Sequence, residues 1–295
     1  MKIIDTHQHV FWHGRDDVGL VADLDENNID LAWLLSWEIH PLEHASSYQP
    51  VLNPEHVRGD GTNAGIPFRD LVRAKRAYPD RFVLGYCPHP LWDNPTGLLE
   101  SAYRIHGARV CGEWKFRIPF DDPRCLEIFR CAGRLGMPVV LHLDVPYLAG
   151  EDGKPVYQPK WYGGTVANLE RALQACPETN FIGHAPGFWR EISGDADQAG
   201  TSYPQGPVTE GGRLYRLLDT YENLYADISA GSGLKALSRD PEHAVRFLNR
   251  YADRILYARD YYGSDWMDFL KSISLEEGAM EKICYKNAEK LGQNW

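Results

Sequence analysis

Close to the N-terminus, Asp5-Thr6-His7-Gln8-His9 sets two histidines two positions apart. In an extended chain alternate side chains share a face, so His7 and His9 point the same way, about 6.5–7 Å apart along the strand. At the carboxyl end of a strand, two imidazoles so placed can bind one divalent ion from the same side. Taken alone, the pair reads equally well as two unrelated polar residues in a loop.

Further groups join it. Val140-Leu141-His142 and Ile182-Gly183-His184 each close an apolar run with one histidine, and Ile255-Leu256-Tyr257-Ala258-Arg259-Asp260 closes another with a carboxylate. A lone histidine there is ordinarily a core residue with its hydrogen bonds met. Two in step with the His7–His9 pair point to a shared site, and a buried carboxylate is costly unless paired or bound to metal. In Gly112-Glu113-Trp114-Lys115-Phe116, Glu113 and Lys115 share a face. Glu113 reads as a further ligand able to bridge two ions. Lys115 reads as a carbamylated bridge, a partner for a substrate carboxylate, or the partner of Glu113 in a rim ion pair. His89, in Cys87-Pro88-His89-Pro90, is expected at the rim against substrate, whereas His40, His44 and His56 are expected to face solvent. Trp12, Trp37, Trp92, Trp161 and Trp189 either wall a pocket or pack loops on the core.

These residues need elements to hold them. Short apolar runs at 2–6, 31–36, 82–86, 109–113, 138–142, 180–184, 224–229 and 254–259 read as eight strands. Near-continuous apolar strands alternating with helices indicate a parallel sheet covered on its outer face. Helical periodicity marks 68–78, 124–135, 165–176 and 241–251, and Gly136 with Pro138 ends one helix and opens the next strand. Eight such repeats without a break in composition predict a single-domain (β/α)8 TIM barrel over 1–295. The glycine fingerprint of an open doubly wound sheet is absent after the first strand. Long segments at 37–67, 143–163 and 185–210 all leave carboxyl ends of strands, where barrel enzymes build their sites.

Composition narrows the partners. The chain has 295 residues with 31 Lys plus Arg against 41 Asp plus Glu, a net charge of −10. An acidic chain lacking a basic stripe repels nucleic acid and anionic membrane. A small-molecule substrate is the expected partner, with a homo-oligomer left open. No apolar run approaches the ~20 residues that cross a bilayer, and the charged start excludes a signal peptide, so the chain is expected to be cytoplasmic. The six cysteines form no CxxC pair and are expected to be reduced, mostly buried thiols.

The chain resembles the amidohydrolase superfamily, and within it the amidohydrolase-2 branch of TIM-barrel metal-dependent hydrolases and decarboxylases. The likeness runs from Asp5 to Ile283-Cys284-Tyr285-Lys286-Asn287-Ala288-Glu289-Lys290-Leu291, similar to the Asn-Ala-x-x-Leu helix that ends many members. The family pattern of HxH on strand one, His on strands five and six and Asp on strand eight implies His7, His9, His142, His184 and Asp260 as metal-site residues. Gly112-Glu113 resembles a strand-four Gly-Glu whose glutamate binds metal. Ala258-Arg259 stands where the family usually has Gly-Thr, which puts a cation, Arg259, at or just outside the metal face as a candidate substrate contact. Asp265 is the competing strand-eight acid, but it lies past the apolar run. The donor types favour Zn²⁺, one or two ions, whose bound water has a pKa of about 7. Asp260 is expected to take that water's proton and pass it to the leaving group, with His184, where not a ligand, polarising a carbonyl. The expected reaction is hydrolysis of a C–N or C–O bond in an amide, lactone or ester. Non-oxidative decarboxylation of a small carboxylic acid is the alternative, and a catalytically inactive ligand-binding barrel the third reading.

Overall fold

The computed structural model describes residues 1–292. Eight parallel strands surround one axis: β1 (Ile4–Gln8), β2 (Leu31–Leu34), β3 (Phe82–Leu84), β4 (Cys111–Trp114), β5 (Val139–His142), β6 (Phe181–His184), β7 (Leu224–Asp227) and β8 (Ile255–Leu256). Ladders run continuously through β1-β2-β3 and through β4-β5-β6-β7-β8. A bridge between Gly85 and Val110 joins β3 to β4. On the other side the Thr6 amide donates to the Tyr257 carbonyl at 3.0 Å, and the Asp260 amide to the His7 carbonyl at 2.9 Å. The TIM barrel expected from the strand pattern is therefore the fold. Past Leu256 the expected strand loosens because the Tyr257 amide donates to Ile283 of the C-terminal helix instead of to a neighbouring strand.

Helices α1 (Asp17–Glu26), α2 (Phe68–Ala77), α3 (Pro95–His106), α4 (Pro123–Arg134), α5 (Val166–Ala175), α6 (Arg213–Thr220), α7 (Pro241–Arg250) and α8 (Asp265–Ser272) follow the strands in turn. Three of them open with proline at the first position behind an Asn or Asp cap: Asn94-Pro95, Asp122-Pro123 and Asp240-Pro241. Proline has no amide to leave unpaired there, and the cap oxygen satisfies an amide of the first turn. An extra helix, Ala230–Ser238, intervenes between β7 and α7.

Side-chain alternation divides the core in two. Ile4, Trp33, Val83, Val110, Val140, Ile182, Tyr225 and Leu256, one from each strand except Val110, which immediately precedes β4, fill the lumen. Ala288 and Leu291 of the C-terminal helix join them from below, and the Asn287 amide group pins that helix by donating to the Ala252 and Ile255 carbonyls, both at 2.7 Å. Residues of opposite parity, such as Val139, Leu141, Phe181, Leu224 and Ala226, pack outward against the helices. In β5, β6 and β7 the residue two positions beyond the lumen residue is His142, His184 and Asp227, so those side chains enter the mouth by parity alone. In β1 and β4 parity would point the wrong way from Ile4 and Val110. Register irregularities between Asp5 and Gln8 and between Cys111 and Trp114 correct it, as bulges at barrel rims do.

The long segments all sit at the carboxyl end. Antiparallel pairs, Trp37–Glu38 with Gly65–Ile66 and Tyr147–Ala149 with Pro155–Tyr157, stiffen the first two. All six cysteines are free and buried, as expected.

Candidate metal centre

His7, His9, Glu113, His142, His184 and Asp260 converge at the mouth of the lumen. His9 Nε2 lies 3.4 Å from Glu113 Oε2 and 3.4 Å from Asp260 Oδ1. His7 Nε2 lies 3.8 Å from the same Asp260 oxygen and 3.9 Å from Glu113 Oε1. Each histidine is fixed from behind: His9 Nδ1 donates to the Leu35 carbonyl at 2.8 Å, and His7 Nδ1 sits 3.0 Å from Asp227 Oδ2. Anchoring Nδ1 in this way turns the Nε2 lone pair towards the centre, the arrangement in which histidines bind metals.

The opposite side of Glu113 carries a second group. His142 Nδ1 is 2.6 Å and His184 Nε2 3.0 Å from Glu113 Oε1. His142 Nε2 meets Asp144 at 3.0 Å, and His184 Nδ1 meets the Ser229 hydroxyl at 2.8 Å. That hydroxyl donates to Asp227 Oδ1 at 2.5 Å. Asp227 thus holds two rings, His7 directly and His184 through Ser229. Ligand atoms of His7, His9 and Glu113, of Glu113, His142 and His184, and of His7, His184 and Asp227 each lie within 4.8 Å of one another.

Charge at the centre is unbalanced. Burial drives the His7 pKa down, but Asp260 and Asp227 outweigh it and lift the ring to about 9. Burial likewise opposes ionisation of Glu113, yet Lys115 and His142 hold its carboxyl well below the usual range. Asp227 is held down by His184 and His7 against its own burial. Carboxylates in a dry site draw in positive charge, as a proton on His7 or as a cation. His7 Nε2, Glu113 Oε2 and Asp260 Oδ1 are buried with no hydrogen-bond partner among the described residues. Three unpaired polar atoms facing one point are what a divalent ion satisfies, so this donor set fits such an ion. Asp260 holds a left-handed backbone, φ +49°, a conformation Asp tolerates better than most residues.

Lys115 lies 3.9 Å from Glu113 Oε1, too far for a hydrogen bond. Its ammonium sits among the rings of Trp37, Tyr48 and Tyr162, with centroids at 4.4, 5.3 and 5.7 Å. Burial disfavours the charge, but Glu113 outweighs it and keeps Lys115 protonated. Trp12 packs against the His9 ring, centroids 5.7 Å apart. Trp189 donates to the Asp227 carbonyl at 3.0 Å, and Trp92 stacks on His40. The tryptophans therefore divide between walling the site and packing loops.

Three expectations need correction. Arg259 does not reach the mouth: Nε pairs with Asp5 and Nη2 with Asp23, both at 2.7 Å, while Nη1 donates to Gly263 at 2.9 Å. Its ion pairs with Asp5 and Asp23 hold the guanidinium behind the strand. His89 is not at the rim but buried, edge to face with Phe116 and 3.3 Å from Glu43. His56 is buried against Asp70 at 2.5 Å, and His40 and His44 are half-buried. The long segment at 37–67 folds back on itself and encloses them. Asp265 begins α8 and is exposed. Asp227, Ser229 and Asp144 were not picked out from the sequence. Asp227 carried a readable signal, since it closes Leu224-Tyr225-Ala226 as His142 and His184 close their runs.

In sequence the chain matches the family model described as amidohydrolase over residues 4–291. No curated protein matches it. Solved structures of the same fold cover 99% of it at low identity. An uncharacterised TIM-barrel protein from Bordetella bronchiseptica is 17% identical, with 98% of its chain covered and a TM-score of 0.64. A probable 2-pyrone-4,6-dicarboxylic acid hydrolase from Acinetobacter baumannii, with citric acid bound, is 15% identical, with 100% covered and a TM-score of 0.62. A dihydroxybenzoic acid decarboxylase from Polaromonas, with bound manganese and an inhibitor, is 17% identical, with 97% covered and a TM-score of 0.57.

Proposed function

The chain belongs to the amidohydrolase family, and from that premise we propose that it is a metal-dependent hydrolase opening a C–N or C–O bond in an amide, lactone or ester. His7, His9, Glu113 and Asp260 would hold the ion, with His142 and His184 across Glu113 able to share a second. Zinc suits these imidazole and carboxylate donors. When bound, such an ion supplies Lewis acidity, polarising a substrate oxygen and acidifying a water.

One observation carries the reading. Asp260 Oδ1 has no hydrogen-bond partner, yet it lies 3.4 Å from His9 Nε2. A carboxylate oxygen so placed can accept a proton from the attacking water and return it to the leaving group. With its Nδ1–H donating to Ser229, whose own proton goes to Asp227, His184 presents an Nε2 lone pair, which suits it to hold the second ion rather than to polarise a carbonyl.

Lys115 favours hydrolysis over decarboxylation. A buried ammonium without a hydrogen-bonded carboxylate suits a substrate anion. Held against a departing carboxylate, it would stabilise the ground state more than the CO₂-like transition state and slow the reaction. Lys115 therefore fits a carboxylate that the substrate keeps.

The test combines metal and product analysis. Elemental analysis should give about one or two divalent ions per chain, and His7→Ala or His9→Ala should remove most of them. A panel of lactones, amides and aromatic carboxylates then separates the reactions, because hydrolysis yields a new acid without gas and decarboxylation releases CO₂. Stoichiometric CO₂ without a hydrolysed product would overturn the proposal in favour of decarboxylation. Protein without metal and without turnover would leave a ligand-binding barrel.

A further inference from the structure

Away from the centre, beneath the segment that follows β6, two arginines share one small cavity. Arg190 is buried, and Arg239, on the extra helix's C-terminal cap, is half-buried. Both line a cavity of about 10 Å³ together with Ser202, Tyr203, Ser232 and Lys235. The Nε atoms of Arg190 and Arg239 are buried without a hydrogen-bond partner. Arg190 Nη2 donates to the Ala196 and Ala199 carbonyls, and Arg239 Nη1 reaches only the Gln205 carbonyl at 3.5 Å. Lys235 Nζ lies over the Tyr203 ring, 4.8 Å from its centroid.

Among the described residues no carboxylate lines this cavity, and those nearby are engaged elsewhere. Glu191 and Asp197 clamp Arg213. Asp195 accepts from Ser193 at 2.6 Å, and Asp240 accepts from the amides of His243 and Val208. Surroundings set these guanidiniums apart. Burial depresses the pKa of Arg190 and of Arg239, whereas at Arg213 and Arg259 carboxylate partners outweigh burial and raise it. At Arg190 and Arg239 burial outweighs the nearby carboxylates, and an unmade hydrogen bond from a charged donor adds to the cost.

We propose that this cavity binds one small inorganic anion of the chloride class, held by the Nε–H groups of Arg190 and Arg239 and by the charge of Lys235. A space for about one water-sized particle favours a small anion over phosphate or a carboxylate. The anion would fasten the 199–204 segment to the extra helix. Tyr203 belongs to that segment, and its phenol is raised first by burial and then by Asp144, a residue that contacts His142 of the metal centre. The proposal is independent of the hydrolytic reading.

Thermal unfolding of the whole protein in sodium chloride against sodium gluconate at equal ionic strength tests it. Chloride at ten times its dissociation constant should raise the folded-to-unfolded ratio about elevenfold over gluconate. Arg239→Met and Lys235→Met, both at partly exposed positions, should each fold and should weaken or abolish that increment. A crystal grown in bromide should show one anomalous peak within hydrogen-bonding reach of both Nε atoms. Equal midpoints in the two salts, an increment intact in both variants, or a water in the cavity with no anomalous signal would each overturn the proposal.

Discussion

Strands β1 and β8 together build two buried clusters of charge, one on each side of the sheet, and the two are finished differently. Behind the sheet, Asp5 and Asp23 face Arg259, and Arg15 adds a second cation at 2.8 Å from Asp23. Two arginines meet two aspartates. Asp5 also accepts from Gln8 Nε2 at 2.8 Å and from the Arg259 amide at 3.0 Å. In the lumen, Glu113, Asp227 and Asp260 surround His7 and His9, and unpaired ligand atoms remain on His7, Glu113 and Asp260. One cluster is balanced within the chain and the other requires something from outside. Residues of similar type, a few positions apart, thus serve structure in one case and chemistry in the other. Balance of charge within the chain separates them better than residue type does.

The largest expected effect falls on the open cluster. Asp260→Asn keeps the shape of the side chain and an oxygen facing the centre, but its amide cannot take up a proton. Turnover should drop by about 10²–10⁴-fold, the usual worth of general acid–base catalysis. Metal content, measured on the same samples, should fall less than in His7→Ala, and the denaturation midpoint should barely move.

Arg259→Met should do the reverse. It leaves Asp5 buried and stripped of its cation, which costs about 3–5 kcal/mol when one partner of a buried pair is removed. Urea denaturation should report that loss, while metal bound per folded molecule stays at the native level. If Arg259→Met emptied the metal site and left stability alone, the two clusters would be one unit and the contrast between them would fail.

Asp227 sharpens the comparison because it belongs to the open cluster yet has no unpaired atom of its own. It orients His7 at 3.0 Å and, through Ser229, His184. Asp227→Asn retains the shape but weakens the hold on both rings. Metal affinity should fall by about 10–100-fold, the typical effect of losing a residue that supports a ligand from behind, as read by competition with a chelator.

Legibility in the sequence followed the same physics. His142 and His184 were readable because β5 and β6 alternate strictly, so an apolar run ending in one polar residue fixes where that residue points. Asp227 obeyed the same rule on β7 and could have been found by it. His7, His9 and Glu113 were recognisable by type and spacing, but their inward aim depends on register irregularities in β1 and β4 that alternation cannot foresee. Arg259 was misplaced for a related reason. One step along the chain from Asp260, it faces the opposite side, and its partner Asp23 comes from α1, a contact that local spacing does not encode. His56 and His89 were misjudged because the long polar segment at 37–67 gives no sign that it will fold back over His56 and bring Glu43 onto His89.

The smallest expected effect belongs to Asp265, five positions beyond Asp260. Both acids border one cavity of about 390 Å³, together with Trp12, His13 and Tyr261, so proximity to the site does not distinguish them. Their surroundings do. Asp265 is exposed at the first position of α8, where a carboxylate interacts with the helix dipole for about 0.3–1 kcal/mol. Asp260 is largely enclosed, with an oxygen that meets two imidazole nitrogens within 3.8 Å. An exposed carboxylate has water to satisfy it, whereas the enclosed one faces the reacting centre. Asp265→Asn should therefore cost a few tenths of a kcal/mol in stability and leave kcat within about twofold, a change far below the 10²–10⁴-fold worth of a general base. A modest rise in KM alone would place Asp265 on the wall of the substrate cavity. A fall in kcat matching that of Asp260→Asn would show that the carboxylate doing the chemistry comes from the start of α8 and not from the end of β8.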